Sequence, residues 1–247
     1  MAPMTVTTEV LEWGRERARA GPWRGDGHVA YLAPLPYDPP PSVDFLLRCL
    51  DQLADRGYAE VITSALAGAE RRPFLAVGFL PHEHLRFLGH DLAGVPFRPA
   101  AGPHPIRKAV PADYPSVLDV DAGSFSPFWR LDQAGLEEAL TATPATRFRV
   151  ALSHHTGGHT QVVGYAITGR AGDQGYLQRL AVAAAARRTG VGRALALDGL
   201  RWLRRRGVAR AVVNTQYGND AALALYLRIG FQQEQSDLAV LHRSLPA

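Results

Sequence analysis

Residues 177–194 constrain the fold of this chain more than any other stretch. Leu177-Gln178-Arg179-Leu180-Ala181-Val182 is a mostly apolar run of strand length. A connector of small residues, 183–186, leads into Arg187-Arg188-Thr189-Gly190-Val191-Gly192-Arg193-Ala194. From 190 to 206 apolar residues recur at helical spacing, so Arg-x-x-Gly-x-Gly opens a long amphipathic helix. A strand that turns through two glycines into a helix presents backbone N–H groups at the positive end of the helix dipole. Such a cradle suits a diphosphate.

The surroundings of this unit read as one regular domain. Pro96, Pro99, Pro103 and Pro105, with Gly94 and Gly102, mark a linker, so the expected domains are 1–102 and 103–247. After the linker, 106–110 is a short strand and 111–121 a helix. A second helix covers 136–140, and 147–153 and 161–168 alternate as a hairpin. The strand to Val182 and the helix 190–206 follow. A strand over 209–214, a helix over 220–229 and two closing strands between 231 and 243 complete the α/β pattern.

The first hundred residues repeat part of it. Gly27-His28-Val29-Ala30-Tyr31-Leu32-Ala33 can be laid on Gly175-Tyr176-Leu177-Gln178-Arg179-Leu180-Ala181, and 53–62 on 203–212. Gly78-Phe79 then meets Gly230-Phe231. Where the second copy has its glycines, the first has Pro36-Tyr37-Asp38-Pro39-Pro40-Pro41. Prolines lack the N–H groups a phosphate needs, and Asp38 has the wrong charge. The first copy is therefore expected to have no phosphate cradle.

Residues 106–245 resemble the GNAT superfamily of N-acetyltransferases, and in pattern the ribosomal-protein N-terminal alanine acetyltransferases. The resemblance rests on the strand ending Leu180-Ala181-Val182, on Arg187-x-x-Gly190-x-Gly192-Arg193, and on Asn219-Asp220-Ala221-Ala222-Leu223-Ala224-Leu225-Tyr226-Leu227-Arg228-Ile229-Gly230-Phe231. It implies a GNAT fold, a mixed and mostly antiparallel sheet flanked by helices, here preceded by a degenerate GNAT-like repeat. It also implies acetyl-CoA as co-substrate, without a metal. Backbone groups of Leu180, Ala181 and Val182 would pair with the pantetheine arm, and the Val182 N–H would polarise the thioester carbonyl. The amides of Arg188, Thr189, Gly190, Val191, Gly192 and Arg193, behind Arg187, would take the diphosphate. Asn219 would contact the arm near its thiol.

Tyr226 has the role of proton donor to the departing thiolate in this pattern, beside the alternative of a core tyrosine. The general base is where the chain departs from it. A glutamate stands five residues before the Asn segment in the related enzymes, and here that position is Asn214, which cannot accept a proton at neutral pH. Asn214 can instead orient a relaying water, or the amine can arrive neutral. Asp119 and Asp121 are the candidate substitutes. Phe125, Phe128 and Trp129 fall in the loop between the first two helices of the domain, on the acceptor side. They either line an aromatic acceptor pocket or cap the core.

Composition narrows the partners. The net charge is +4, and Arg201, Arg204, Arg205 and Arg206 near a helix C-terminus are expected to face solvent rather than nucleic acid. The single cysteine, Cys49, excludes an internal disulfide and an acyl-enzyme in the domain that holds the cradle. His154, His155 and His159 read as turn residues, not metal ligands. Neither a leader peptide nor an apolar run of the roughly 20 residues a membrane span needs is apparent, so a cytoplasmic protein with no membrane partner is expected. Acetyl-CoA and an amine are the expected ligands of a monomer or homodimer. The acceptor is left between a protein N-terminus or lysine and a small amine. The tandem layout is also similar to the mycothiol acetyltransferases, which implies a cysteinyl sugar. An acyl-CoA-binding regulatory module without transfer stands as the reading from another class.

Overall fold

The expected alternation of strands and helices is present across residues 8–35, 38–96, 104–154 and 160–246, which the computed structural model describes. In chain order the elements are β1 (Glu9–Trp13), β2 (Glu16–Pro22), β3 (Val29–Pro34), α1 (Val43–Asp55), β4 (Glu60–Thr63), α2 (Gly68–Ala76) and β5 (Leu80–His90). They continue as β6 (Ile106–Lys108), α3 (Tyr114–Ala122), α4 (Gln133–Thr141), β7 (Ala145–His154), β8 (Thr160–Ala171), β9 (Gln174–Val182) and α5 (Val191–Arg205). The last are β10 (Arg210–Gln216), α6 (Asp220–Arg228), β11 (Gln232–Gln233) and β12 (Leu238–Ser244).

The chain forms two compact units that are not consecutive stretches of sequence. One comprises Met1–Phe87, Asn214–Gly218 and Glu234–Ala247; the other comprises Leu88–Val213 and Asn219–Gln233. The boundary expected at 102/103 falls within 97–103, outside the described residues.

In the first unit the strand order is β1-β2-β3-β4-β12-β5, antiparallel except for the parallel pair β3–β4. Leu238, Ala239, Val240 and Leu241 of β12 are all buried, on both faces of the strand. Both faces of this strand are therefore covered, and its two edges pair with β4 and β5. The strand read as closing the second domain thus belongs to the first unit. Helix α1 buries Phe45, Leu46, Cys49, Leu50 and Leu53, one helical stripe, against Ala18, Ala30, Leu32 and Phe74.

In the second unit the order is β10-β9-β8-β7-β6, parallel between β9 and β10 and antiparallel elsewhere. Helices α3 and α4 cover one face, with Val117, Val120 and Leu136 on Val150, Tyr165 and Ile167. Helix α5 covers the other through Val191 and Leu195 on Ala151, Val163 and Ala166. It sits close because Gly199 has no side chain; a Cβ there would lie 2.4 Å from Thr168 Oγ1.

The internal repeat is visible in hydrogen bonds. The His28 carbonyl accepts from the amides of Ala59 and Glu60, and the Asp173 carbonyl accepts from Ala209 and Arg210. Tyr58 N–H bonds to Leu53, and Val208 N–H to Leu203. Phe79 N–H bonds to Phe74, and Phe231 N–H to Tyr226. The last two pairings agree with the sequence overlay. The first sets His28 against Asp173, three residues away from the overlay, because runs of small apolar residues specify register weakly.

Candidate active site

The segment expected to take a diphosphate begins where β9 leaves the sheet. Pairing between β9 and β10 covers Gln174, Gly175 and Tyr176 only, so from Leu177 onward β9 has β8 on one side and a free edge on the other among the described residues. The Ala183 amide bonds to the Val163 carbonyl. Backbone groups alternate along a strand, so the N–H and C=O of Val182 and of Leu180 point to that free edge. The Val182 carbonyl accepts from Arg187 Nε at 3.2 Å, and Arg187 also reaches the Gly123 carbonyl at 3.3 Å. Arg187 thus ties the end of β9 to the end of α3 rather than pointing into the cradle.

Arg188 (φ 67°) and Gly190 (φ 92°) are both left-handed. Gly190 is the N-cap of α5 and has no capping side chain. The Ala194 amide takes the Gly190 carbonyl. For the amides of 188–193 no backbone acceptor is found among the described residues. Thr189 and Arg193 are exposed beside them, and Val191 is buried beneath. Gly192 faces α6, where a Cβ would meet Leu225 at 3.3 Å and Val182 at 3.6 Å.

Tyr226 is 6 % exposed, with its ring 5.7 Å from Phe231 in an edge-on packing. Burial pushes its hydroxyl pKa well above that of a free phenol, which keeps it protonated. No hydrogen-bond partner for that hydroxyl is found among the described residues, and it is not among the fully enclosed unpaired atoms. Asn219 caps α6 by accepting from the Ala222 amide at 3.2 Å. His90, 5 % exposed, fastens the other end of α6: Nδ1 accepts from Leu92, and Nε2 donates to the Ile229 carbonyl at 3.0 Å. Asn214 is exposed on β10, in the segment Asn214–Gly218 of the first unit.

Asp121 is not a free base. It is fully buried and paired with Arg179 of β9 through Nε at 2.8 Å and Nη2 at 2.9 Å. It also accepts from the Leu131 amide at 2.7 Å and from the Tyr165 hydroxyl. A buried carboxylate with this many donors is a structural fastener. Asp119 is exposed. Arg179 further donates to the Trp129 carbonyl and lies 3.5 Å from the centre of the Phe125 ring. Phe125 packs on the core, whereas Phe128 and Trp129 meet edge to face at 4.9 Å and are half-buried. The loop 125–131 is thus held at its start, middle and end by one ion pair. An arginine inside a mostly apolar strand was the available signal for it.

Two further expectations meet the structure here. Arg201 is buried at 5 % exposure rather than facing solvent, and Arg204 is half-buried and donates to the Val95 carbonyl; Arg205 and Arg206 are exposed. Helix α5 is covered on more than one face, so its last turns cannot all be wet. The hairpin turn 155–159, with His155 and His159, lies outside the described residues. Among the described residues no group of three or more His, Cys, Asp or Glu could hold a metal ion, and no helix is long and apolar enough to cross a membrane.

Comparison with known proteins places this arrangement. Residues 115–231 match the model of the acetyltransferase (GNAT) family. The mycothiol acetyltransferase of Amycolatopsis mediterranei (strain U-32) is 30% identical over 212 residues, covering 78% of this chain and 68% of that protein. A tandem GNAT protein from the clavulanic acid biosynthesis pathway superposes with a TM-score of 0.72 at 11% identity, over 100% of this chain and 85% of that one. A GCN5-related N-acetyltransferase from Sphaerobacter thermophilus gives a TM-score of 0.61 at 17% identity, over 93% and 77%.

Proposed function

The chain belongs to the GNAT family of acetyltransferases, and on that footing we propose that it moves an acetyl group from acetyl-CoA directly to a primary amine. The observation that carries this reading is a pair of neighbouring sets of free backbone donors, on the β9 edge at Leu180 and Val182 and on the amides of 188–193. The residues fit the ligand: an extended amide-bearing arm can lie along an unpaired strand edge, and a diphosphate can lie on helix N-terminal amides.

In this reading acetyl-CoA, when bound, supplies an activated thioester. The Val182 N–H stabilises negative charge on the acyl oxygen as the new C–N bond forms. Tyr226 gives its proton to the sulfur as the C–S bond breaks. Asp121 is engaged and Asn214 is no base, so the amine's proton passes to water. Asn219 holds α6 so that Tyr226 faces the sulfur. Phe128 and Trp129 border the acceptor, and the Asp121–Arg179 pair fixes their loop.

A small amine is the acceptor we favour over a protein N-terminus or lysine, supported by the mycothiol acetyltransferase relative. The test is release of free CoA thiol from acetyl-CoA across a panel of small amines, peptides and a cysteinyl sugar. Turnover with one of the small amines, rising with pH as that amine loses its proton, is expected. No thiol release with any amine, despite heat on binding acetyl-CoA, would leave a binding module instead.

A further inference from the structure

The place of Tyr226 is set by a chain of contacts that ends at His90, a residue with no part so far in acetyl transfer. His90 is 5 % exposed, and its Nδ1 accepts from the Leu92 amide at 2.8 Å. That bond fixes the tautomer, so Nε2 carries the hydrogen and donates to the Ile229 carbonyl at 3.0 Å. The imidazole also meets the Phe231 ring edge-on, with centres 5.1 Å apart, and Phe231 meets Tyr226 at 5.7 Å. The Phe231 amide closes the circle by bonding to the Tyr226 carbonyl at 3.0 Å. Tyr226 lies in the last turn of α6, so both its backbone and its ring are tied to this one imidazole.

The backbone is shaped around that ring in two places. Leu92, whose amide serves Nδ1, is left-handed at φ 62°, a conformation leucine rarely adopts. Residue 230 has φ 101°, and a Cβ there would lie 2.8 Å from His90 Nε2, so only glycine fits. Strain of this kind gathers at working sites. The first copy has a fastener at the same position, of a different kind. Gln232 pairs with Gly89, so one step along the ladder Phe231 stands opposite His90. His242 pairs with Leu80, so one step along Phe79 stands opposite Arg243. Arg243 donates to the Val77 carbonyl as His90 does to that of Ile229. A Cβ at Gly78 would nevertheless stay 3.9 Å from the guanidinium, so that fastener is the looser one. The ring it serves is Phe74, which has no proton to aim.

We propose that His90 is a positioning residue for Tyr226. It holds the last turn of α6 and, through Phe231, sets the orientation from which the phenol hydroxyl reaches the departing sulfur. A flat ring bonded at both nitrogens and packed on an aromatic edge defines an angle, which a long flexible side chain does not. His90 itself touches neither thioester nor amine and exchanges no proton. This role rests on the acetyl-transfer reading and on Tyr226 as its proton donor.

The experiment is a double-mutant cycle on the full chain, read as CoA thiol released from acetyl-CoA with the fastest small amine of the panel. His90→Phe keeps a ring and drops both hydrogen bonds; His90→Gln keeps an amide donor for Ile229 and drops the ring. The turnover number should fall about tenfold in His90→Phe and about threefold in His90→Gln, while acetyl-CoA affinity and the amine KM hold. In a Tyr226→Phe background, followed for hours to resolve the slow rates, each change at position 90 should alter turnover by less than about twofold. A residue that merely supports the fold would cost as much with the hydroxyl gone as with it present. Should His90→Phe fail to fold, His90→Gln reads the same cycle. Losses that persist in Tyr226→Phe, or no loss in either variant, overturn the role of His90 alone. Absence of thiol release by the unaltered chain with every amine overturns the transfer reading, and this role with it.

Discussion

The two units use one strand–helix–strand–helix scheme and differ where a nucleotide-tailed ligand would bind. In the first, α1 begins at Ser42, whose hydroxyl caps the Phe45 amide. The Glu16 carboxylate takes the Ser42 amide at 2.6 Å and its hydroxyl at 2.8 Å. An internal anion thus already occupies that helix start. In the second, α5 begins at left-handed Gly190 with no side-chain cap. β3 outruns its pairing with β4 only by Ala33 and Pro34, whereas β9 outruns its pairing with β10 from Leu177 to Val182. At equivalent places in the last turn of α2 and of α6 stand Phe74, packed on Phe79, and Tyr226, packed on Phe231. Three local changes therefore separate a filled scaffold from a receptive one: a glycine for a capping serine, a longer strand, and one hydroxyl.

The largest expected effect comes from closing the receptive helix start. Gly190→Glu with Gly192→Glu puts two carboxylates where a diphosphate would lie and strains a left-handed position. Acetyl-CoA affinity should fall by roughly 100-fold or more, read as loss of ligand-induced thermal stabilisation. If stabilisation survives, the helix start is not what separates the units.

Next is Tyr226→Phe, which gives the second unit the residue of the first. The turnover number should drop about 100-fold while acetyl-CoA affinity holds. An unchanged turnover number across pH would return Tyr226 to the core. Glu16→Ala probes the opposite side. The α1 start loses its anion, at a cost of about 1 kcal/mol in denaturant unfolding. Acetyl-CoA stoichiometry should nevertheless stay at one per chain, because Pro39, Pro40 and Pro41 offer no N–H.

The smallest effect is in acid. Arg107 holds the Asp113 carboxyl below the usual range in the second unit, and Arg71 with His84 does so for Asp237 in the first. A depressed folded-state pKa contributes stability above the unfolded value, near 4, that is lost as pH falls through the folded one. Asp113→Asn and Asp237→Asn should each flatten the decline of melting temperature below about pH 4, by no more than a surface pair's ~1 kcal/mol.

What the sequence made legible follows from how local each signal is. The strand–glycine–helix unit was readable because its parts lie within twenty residues, and the α5 and α6 boundaries agree with the spacing to within a residue or two. Phe74 opposite Tyr226 was also readable, since overlaying Gly78-Phe79 on Gly230-Phe231 aligns them. The Asp121–Arg179 fastener was not, because it joins residues 58 apart and depends on which face of β9 the arginine takes. Arg201 was misjudged for a related reason: a charged residue near a helix end faces water only if nothing is packed there. Nor could periodicity show that β12 lies between β4 and β5, since the neighbours of a strand are chosen by the whole sheet.

That placement of β12 dictates a timetable for synthesis on the ribosome. The sheet of the first unit has a gap between β4 and β5 until residues 238–244 have been translated and released from the exit tunnel. Its early strands must wait, unpaired along one edge, while some 150 later residues emerge. A message cut after the linker should therefore yield not a small folded half but a chain prone to aggregate, and supplying the 234–246 peptide in trans should rescue it.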